Sequence, residues 1–317
     1  MKRWLRWILL MCVLGAAYPL FAQDSPPTIQ FERVPDFLID GGVPNAALVT
    51  DDSGAPQVVL LYLSQQGLVQ ATSSDGVTFS GLNDPFKAMQ DVFRDKGLFP
   101  VDVLVRQTAS GAWRYFVKGL PPPGTPARHL YGVERGADGS LTLLNGGEPI
   151  YTGKPGGAER VEVPEIILTP DDTWRMFYVA LGESLEITHS AISSDEGRTW
   201  TFEQDNVFGD PEPKPGPRAE QINVDPAPFR LNDGSYVAAT MRAGRLFFWT
   251  SADGLAFTPI PDGVLTAEAV RSSLNQPVTG LFDPTWVQLP DGTLYLYTTA
   301  GAEARGSIVA FRVMLQS

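Results

Sequence analysis

The chain has 317 residues, 43% hydrophobic and 19% charged, with 31 glycines, 27 prolines and a formal charge of −12. This composition excludes collagen, coiled coil and low-complexity disorder, and its many turn formers favour short strands. The acidity disfavours nucleic acid and anionic membranes as partners.

The first element is a targeting segment. Met1-Lys2-Arg3-Trp4-Leu5-Arg6 is a basic n-region, residues 8–21 form an apolar h-region, and Ala22 is a small residue before a cut. Residues 1–22 therefore read as a signal peptide, and a secreted or periplasmic, monomeric protein is expected. No later apolar run is long enough to span a bilayer, so stable membrane insertion is not expected. Cleavage removes Lys2, Arg3 and Arg6 and no acid, which moves the charge from −12 to −15. It also removes Cys12, the single cysteine, so the mature chain has no disulfide or thiolate zinc site. The two histidines, His129 and His189, make a multi-histidine centre unlikely by number alone, and no metal or other cofactor is expected.

From residue 28 onward the chain repeats. Residues 28–34 have strand composition and precede the first unit. Units then open at Val43-Pro44-Asn45, Pro100-Val101-Asp102, Val163-Pro164-Glu165, Asp225-Pro226-Ala227 and Asp283-Pro284-Thr285. Each opening strand leads to a turn rich in Gly, Asn or Asp, such as Asn232-Asp233-Gly234, and then to a second strand. A later Asp-Gly turn recurs at Asp75, Asp138, Asp195 and Asp253, a period of about 60 residues. Four strands per period predict an all-β, five-bladed propeller occupying residues 23–317. The last unit lacks a fourth strand, so residues 28–34 are expected to supply it and close the ring.

Ser193-x-Asp195-x-Gly197-x-Thr199-Trp200 resembles the Asp-box of sialidases and related propellers. In that family the box marks the fold and lies away from the active site. Asp225-Pro226, Asp283-Pro284 and Glu162-Val163-Pro164 resemble elements of the five-bladed arabinanase and β-xylosidase-like glycosidases. There the two Asp-Pro blades come before the Glu blade, whereas here they follow it. The sialidase arginine has no counterpart at Gly42-Val43-Pro44. The resemblance implies a carbohydrate-active protein whose partner is an oligosaccharide or polysaccharide.

In a propeller, the starts of the inner strands meet at one mouth of a central channel. Glycoside hydrolysis needs a protonated carboxyl and an ionised carboxylate facing one bond. The candidate catalytic residues are Glu165 or Glu162 as acid, and Asp225 or Asp283 as base or nucleophile. Asp102, Arg242, Arg245 and Trp286 are candidate substrate-binding residues, and Lys118 and Glu183 are expected in loops at the same mouth. The arginines suit hydroxyl or carboxylate recognition, and the indole suits stacking on a sugar face. A non-catalytic propeller that binds a glycan or protein at the same face fits the sequence as the alternative. Arg114 and Arg175, at matching second-strand positions, are expected to tie neighbouring blades together.

Overall fold

Short turns determine where each strand ends. The computed structural model describes residues 27–121, 128–157, 159–181, 186–209, 222–272, 274, 277–302 and 305–316. The expected signal peptide and most of the acidic, proline-rich loop after Gly209 lie outside them, as does Glu183.

Strands β1 (Thr28–Arg33) and β2 (Ile39–Asp40) come first. Blade one follows as β3 (Gly42–Thr50), β4 (Pro56–Ser64) and β5 (Gly67–Ser73), then helix α1 (Lys87–Arg94). Blade two is β6 (Phe99–Gln107), β7 (Trp113–Leu120), β8 (His129–Arg135) and β9 (Leu141–Leu143). Blade three is β10 (Glu162–Leu168), β11 (Trp174–Leu181), β12 (Glu186–Ser193) and β13 (Thr201–Gln204). Blade four is β14 (Val224–Arg230), β15 (Tyr236–Arg242), β16 (Arg245–Ser251) and β17 (Thr258–Leu265), followed by helix α2 (Glu268–Arg271). Blade five is β18 (Gly280–Gln288), β19 (Leu294–Ala302) and β20 (Arg305–Gln316).

Every blade is antiparallel, and the inner strands β3, β6, β10, β14 and β18 neighbour one another in cyclic order, with β18 against β3. The all-β, five-bladed propeller is therefore the observed fold. β1 closes it as expected. It runs antiparallel to β20, from Thr28 opposite Gln316 to Arg33 opposite Phe311. Phe31 anchors it, 4.6 Å from the Phe248 ring of blade four. In blade one the fourth position is held by isolated pairings, Thr72 with Ser80 and Val69 with Pro85. Beyond them α1 buries Met89 and Phe93.

The first hairpin of each blade uses one turn. Gly54, Gly111, Gly234 and Gly292 occupy it at φ 86°, 87°, 89° and 90°, and Asp172 takes the same place at 61°. Only glycine adopts that backbone freely, and Asp tolerates it better than most residues. The Ser-Asp-Gly turns are local networks as well. Ser73, Ser193 and Ser251 donate to Asp75, Asp195 and Asp253 at 2.7–2.8 Å. Backbone N–H groups of the same turns also donate to these carboxylates. These bonds favour the ionised form and hold all three pKa values down, Asp75 to about 2. The turns are also inter-blade contacts. Arg114 of blade two donates to the Glu196 carbonyl, and Arg175 of blade three to the Asp253 and Gly254 carbonyls. Both arginines thus have the inter-blade role expected of them.

Candidate active site at the channel mouth

One irregularity recurs in all five inner strands. Each carries a β-bulge near its start, between Gly42 and Asn45, Val101 and Val103, Glu162 and Glu165, Val224 and Ala227, and Phe282 and Thr285. The bulged residue is left-handed every time. Val43, Asp102, Val163, Asp225 and Asp283 have φ of 55°, 45°, 44°, 48° and 48°. For a β-branched valine this backbone costs about 1–2 kcal/mol. Prolines 44, 164, 226 and 284 follow four of the five, where a bulge interrupts the ladder and a missing N–H is tolerated. The bulges set five residues at one level around the channel. Three of them are aspartates.

Lys118 of β7 lies opposite Val101 and carries its ammonium into this ring. It pairs with Asp102 and, at 2.5 Å, with Glu162. Glu162 also accepts from Arg160 Nε at 2.9 Å, while Arg160 Nη2 reaches Glu186 at 3.0 Å. Asp225 accepts the backbone N–H of Asp283, and Asp283 bonds the Thr299 side chain. The Oδ2 of Asp283 is buried with no hydrogen-bond partner among the described residues.

Burial and charge set Asp225 and Asp283 apart from Glu162. Desolvation, with the Asp102 and Glu186 charges adding to it, pushes Asp225 up to about 7. The Asp283 N–H and Lys118 oppose that rise only in part. Desolvation and the neighbouring Asp225 and Asp102 raise Asp283 well above the usual carboxylate range. Glu162 goes the other way. Burial alone would raise it, but Lys118 and Arg160 hold it below its ordinary value. Burial would also lower Lys118, yet Asp102 and Glu162 raise it and keep it charged. One mouth therefore holds carboxyls that retain a proton near neutrality beside one that stays ionised.

The structure brings together Asp102, Glu162, Asp225 and Asp283. Asp225 and Asp283 are shifted toward holding a proton, and Glu162 toward the ionised form. Glu165 has a different partner. It is buried, ion-paired with Arg106 of blade two, and accepts the Ile166 N–H at 3.0 Å. Arg106 also donates to the Ile166 carbonyl at 2.7 Å. Glu165 is thus a link between blades two and three, which corrects its expected place as an acid beside Asp225 and Asp283. The reason is register: Val163 takes the bulge, and Glu165 falls two residues past it.

Trp286 is corrected as well. It is 2% exposed, packs edge-on against Phe248, and donates its indole N–H to the Ala227 carbonyl at 2.8 Å. It fills the core between blades four and five, and no ring face is open to a sugar. Arg242 and Arg245 flank the β15–β16 turn on the mouth side. Arg242 donates to Asn223 at 2.9 Å and lies over the Phe247 ring at 4.6 Å, while Arg245 is exposed. Among the described residues, Arg160, Glu186 and Thr299 also belong to the mouth and carry no motif. The only sequence signal for Arg160 is its place two residues before Glu162.

A cavity of about 410 Å³ lies on the mouth side between blades four and five. Ile222, Val224, Met241, Gly244, Phe282 and Glu186 are among its walls. Val224 and Phe282 immediately precede Asp225 and Asp283.

No family model and no curated protein matches the sequence. Solved structures do resemble the fold. A GH43 protein of Bacillus licheniformis is 12% identical, with a TM-score of 0.57 over 91% of this chain and 58% of its own. A family 117 glycoside hydrolase of the marine bacterium Zobellia galactanivorans is 12% identical, with a TM-score of 0.55 over 90% of each chain. An exo-1,5-α-L-arabinanase from a bovine ruminal metagenomic library is 13% identical, with a TM-score of 0.57 over 90% of this chain and 95% of its own. At these identities the likeness is one of fold. Among the described residues, no helix is long and apolar enough to cross a membrane.

Proposed function

We propose that the channel mouth hydrolyses glycosidic bonds in an oligosaccharide or polysaccharide. The observation that carries this reading is the pairing of opposite acid states in one ring, with Asp225 raised to about 7 and Glu162 held ionised by Lys118 and Arg160. The glycosidases among the structural neighbours support the substrate class. Asp225, partly exposed at the mouth, is the proton donor. The bond from the anomeric carbon to the leaving oxygen breaks, and that oxygen takes the Asp225 proton. Water adds to the anomeric carbon and gives its proton to Glu162. Burial, helped by the Asp102 and Glu186 charges, keeps Asp225 protonated, and Asp102 fixes Lys118. Arg242 and Arg245 contact the sugar at the rim. The site works outside the cytoplasm once residues 1–22 are removed, and N-terminal sequencing of the exported protein should begin near Gln23.

Leaving-group acidity tests the assignment. Asp225→Asn should slow phenyl glycosides far more than nitrophenyl glycosides, because a poor leaving group needs the proton most. Glu162→Gln should slow both alike. Equal losses in both variants would contradict the roles. A glycan-binding propeller without turnover is the second reading, favoured by Val43 at the blade-one bulge where an acid is absent. It would show saturable glycan binding and no product.

A further inference from the structure

The cavity between blades four and five shares Glu186 with the acid network, and the rest of its wall is mostly apolar. A buried sugar hydroxyl needs a hydrogen-bond partner, and an unpaired one is costly. Several polar groups of this wall have partners within the protein, and Glu186 is its one charged side chain. The Thr279 hydroxyl donates to the Gly301 carbonyl at 2.9 Å. The Gly244 carbonyl accepts from Leu281 at 2.9 Å, and its N–H lies 3.3 Å from Met241 Sδ. Glu186 is held by Arg160 at 3.0 Å. What remains is aliphatic, aromatic and thioether surface from Ile222, Val224, Met241 and Phe282.

We propose that this cavity is the leaving-group subsite and takes an aromatic aglycone rather than a second sugar. The proposal rests on the hydrolytic reading for its place in the reaction. Glu186, on the cavity wall, is near enough for its charge to act on Asp225, so a ring held here lies on the side of the proton donor. Phe282 offers an edge or face to an aromatic ring, and thioether sulfur packs well against one. The volume of about 410 Å³ is within the usual range of small-molecule sites and exceeds one fused bicyclic ring. The substrate class is therefore an aryl glycoside, a sugar joined through oxygen to an aromatic alcohol.

The test has a binding arm and a kinetic arm, both on the full mature chain. In the first, 2-naphthol is titrated against wild type, Met241→Gln and Ile222→Gln, with its fluorescence as the readout. Saturable binding that weakens about tenfold in either folded variant supports the proposal. Absence of saturable binding, or equal binding in wild type and both folded variants, overturns it. In the second, 2-naphthyl and phenyl glycosides of one sugar are compared, because their phenols have nearly equal acidity. The proposal expects a KM about tenfold lower for naphthyl, with kcat little changed. Cleavage of both with equal KM overturns the aromatic subsite and leaves hydrolysis standing. Naphthol binding that weakens in the variants, with no glycoside cleaved, removes hydrolysis and retains an aromatic-binding cavity.

Discussion

Replacing Asp225 by asparagine keeps the shape of the bulge and removes its titration. Burial raises the group from 3.8 to about 7 in the folded chain, while the unfolded chain keeps the ordinary value. The folded state therefore binds more protons between these limits. Its stability is greatest below pH 4, falls as pH rises toward 7, and is flat above that. Each pH unit is worth about 1.4 kcal/mol, so the ceiling is about 4 kcal/mol. Partial exposure of Asp225 and the shared titration with Asp283 bring the expected effect to about 2 kcal/mol. Urea denaturation at pH 4.5 and pH 8 measures it. Wild type should lose about 2 kcal/mol more than Asp225→Asn across that interval. A difference between the two proteins that does not change with pH would refute the argument that burial holds the proton there.

Other variants address the remaining parts of the ring. Lys118→Met leaves Asp102 and Glu162 without their shared cation, and should lower stability at pH 7 by about 3–5 kcal/mol, with partial recovery near pH 5 in the same urea assay. Glu165→Gln strands the Arg106 guanidinium and should cost about 3 kcal/mol of stability, while turnover and ligand affinity stay at wild-type level. Deleting residues 27–36 removes Ile29 and Phe31 from the core, about 4 kcal/mol of burial, and should lower Tm by about 10 °C and expose the β20 edge to aggregation.

The parts of the fold legible in sequence are those set by local chemistry. Asn232-Asp233-Gly234 and Ser193-x-Asp195-x-Gly197 name their own turns, because the glycine and the aspartate satisfy backbone demands within a few residues. The missing outer strand of blade five was legible by counting, and β1 fills it. The bulges were not legible. A bulge exists only relative to its partner strand, and nothing in Val43-Pro44 or Val163-Pro164 announces a left-handed valine. This hid the facing of later residues. Glu165 and Trp286 both lie just past a bulge, where their partners are a neighbouring blade's Arg106 and Ala227 carbonyl. Lys118 was legible as a mouth-side residue at the end of a second strand, but its partners were not. Its bridging of Asp102 and Glu162 depends on blades two and three meeting in space.

Phenol and reducing-sugar release from a panel of aryl glycosides and polysaccharides, by wild type and by Asp225→Asn, tests the central claim most directly. Wild type should turn over at least one substrate, with a rate that falls as pH rises through about 7 and Asp225 loses its proton. Asp225→Asn should be at least about a hundredfold slower on a poor leaving group while its folding is intact. Equal turnover by the two proteins, or no release from any substrate by a wild type that still binds glycan at the mouth, would contradict it.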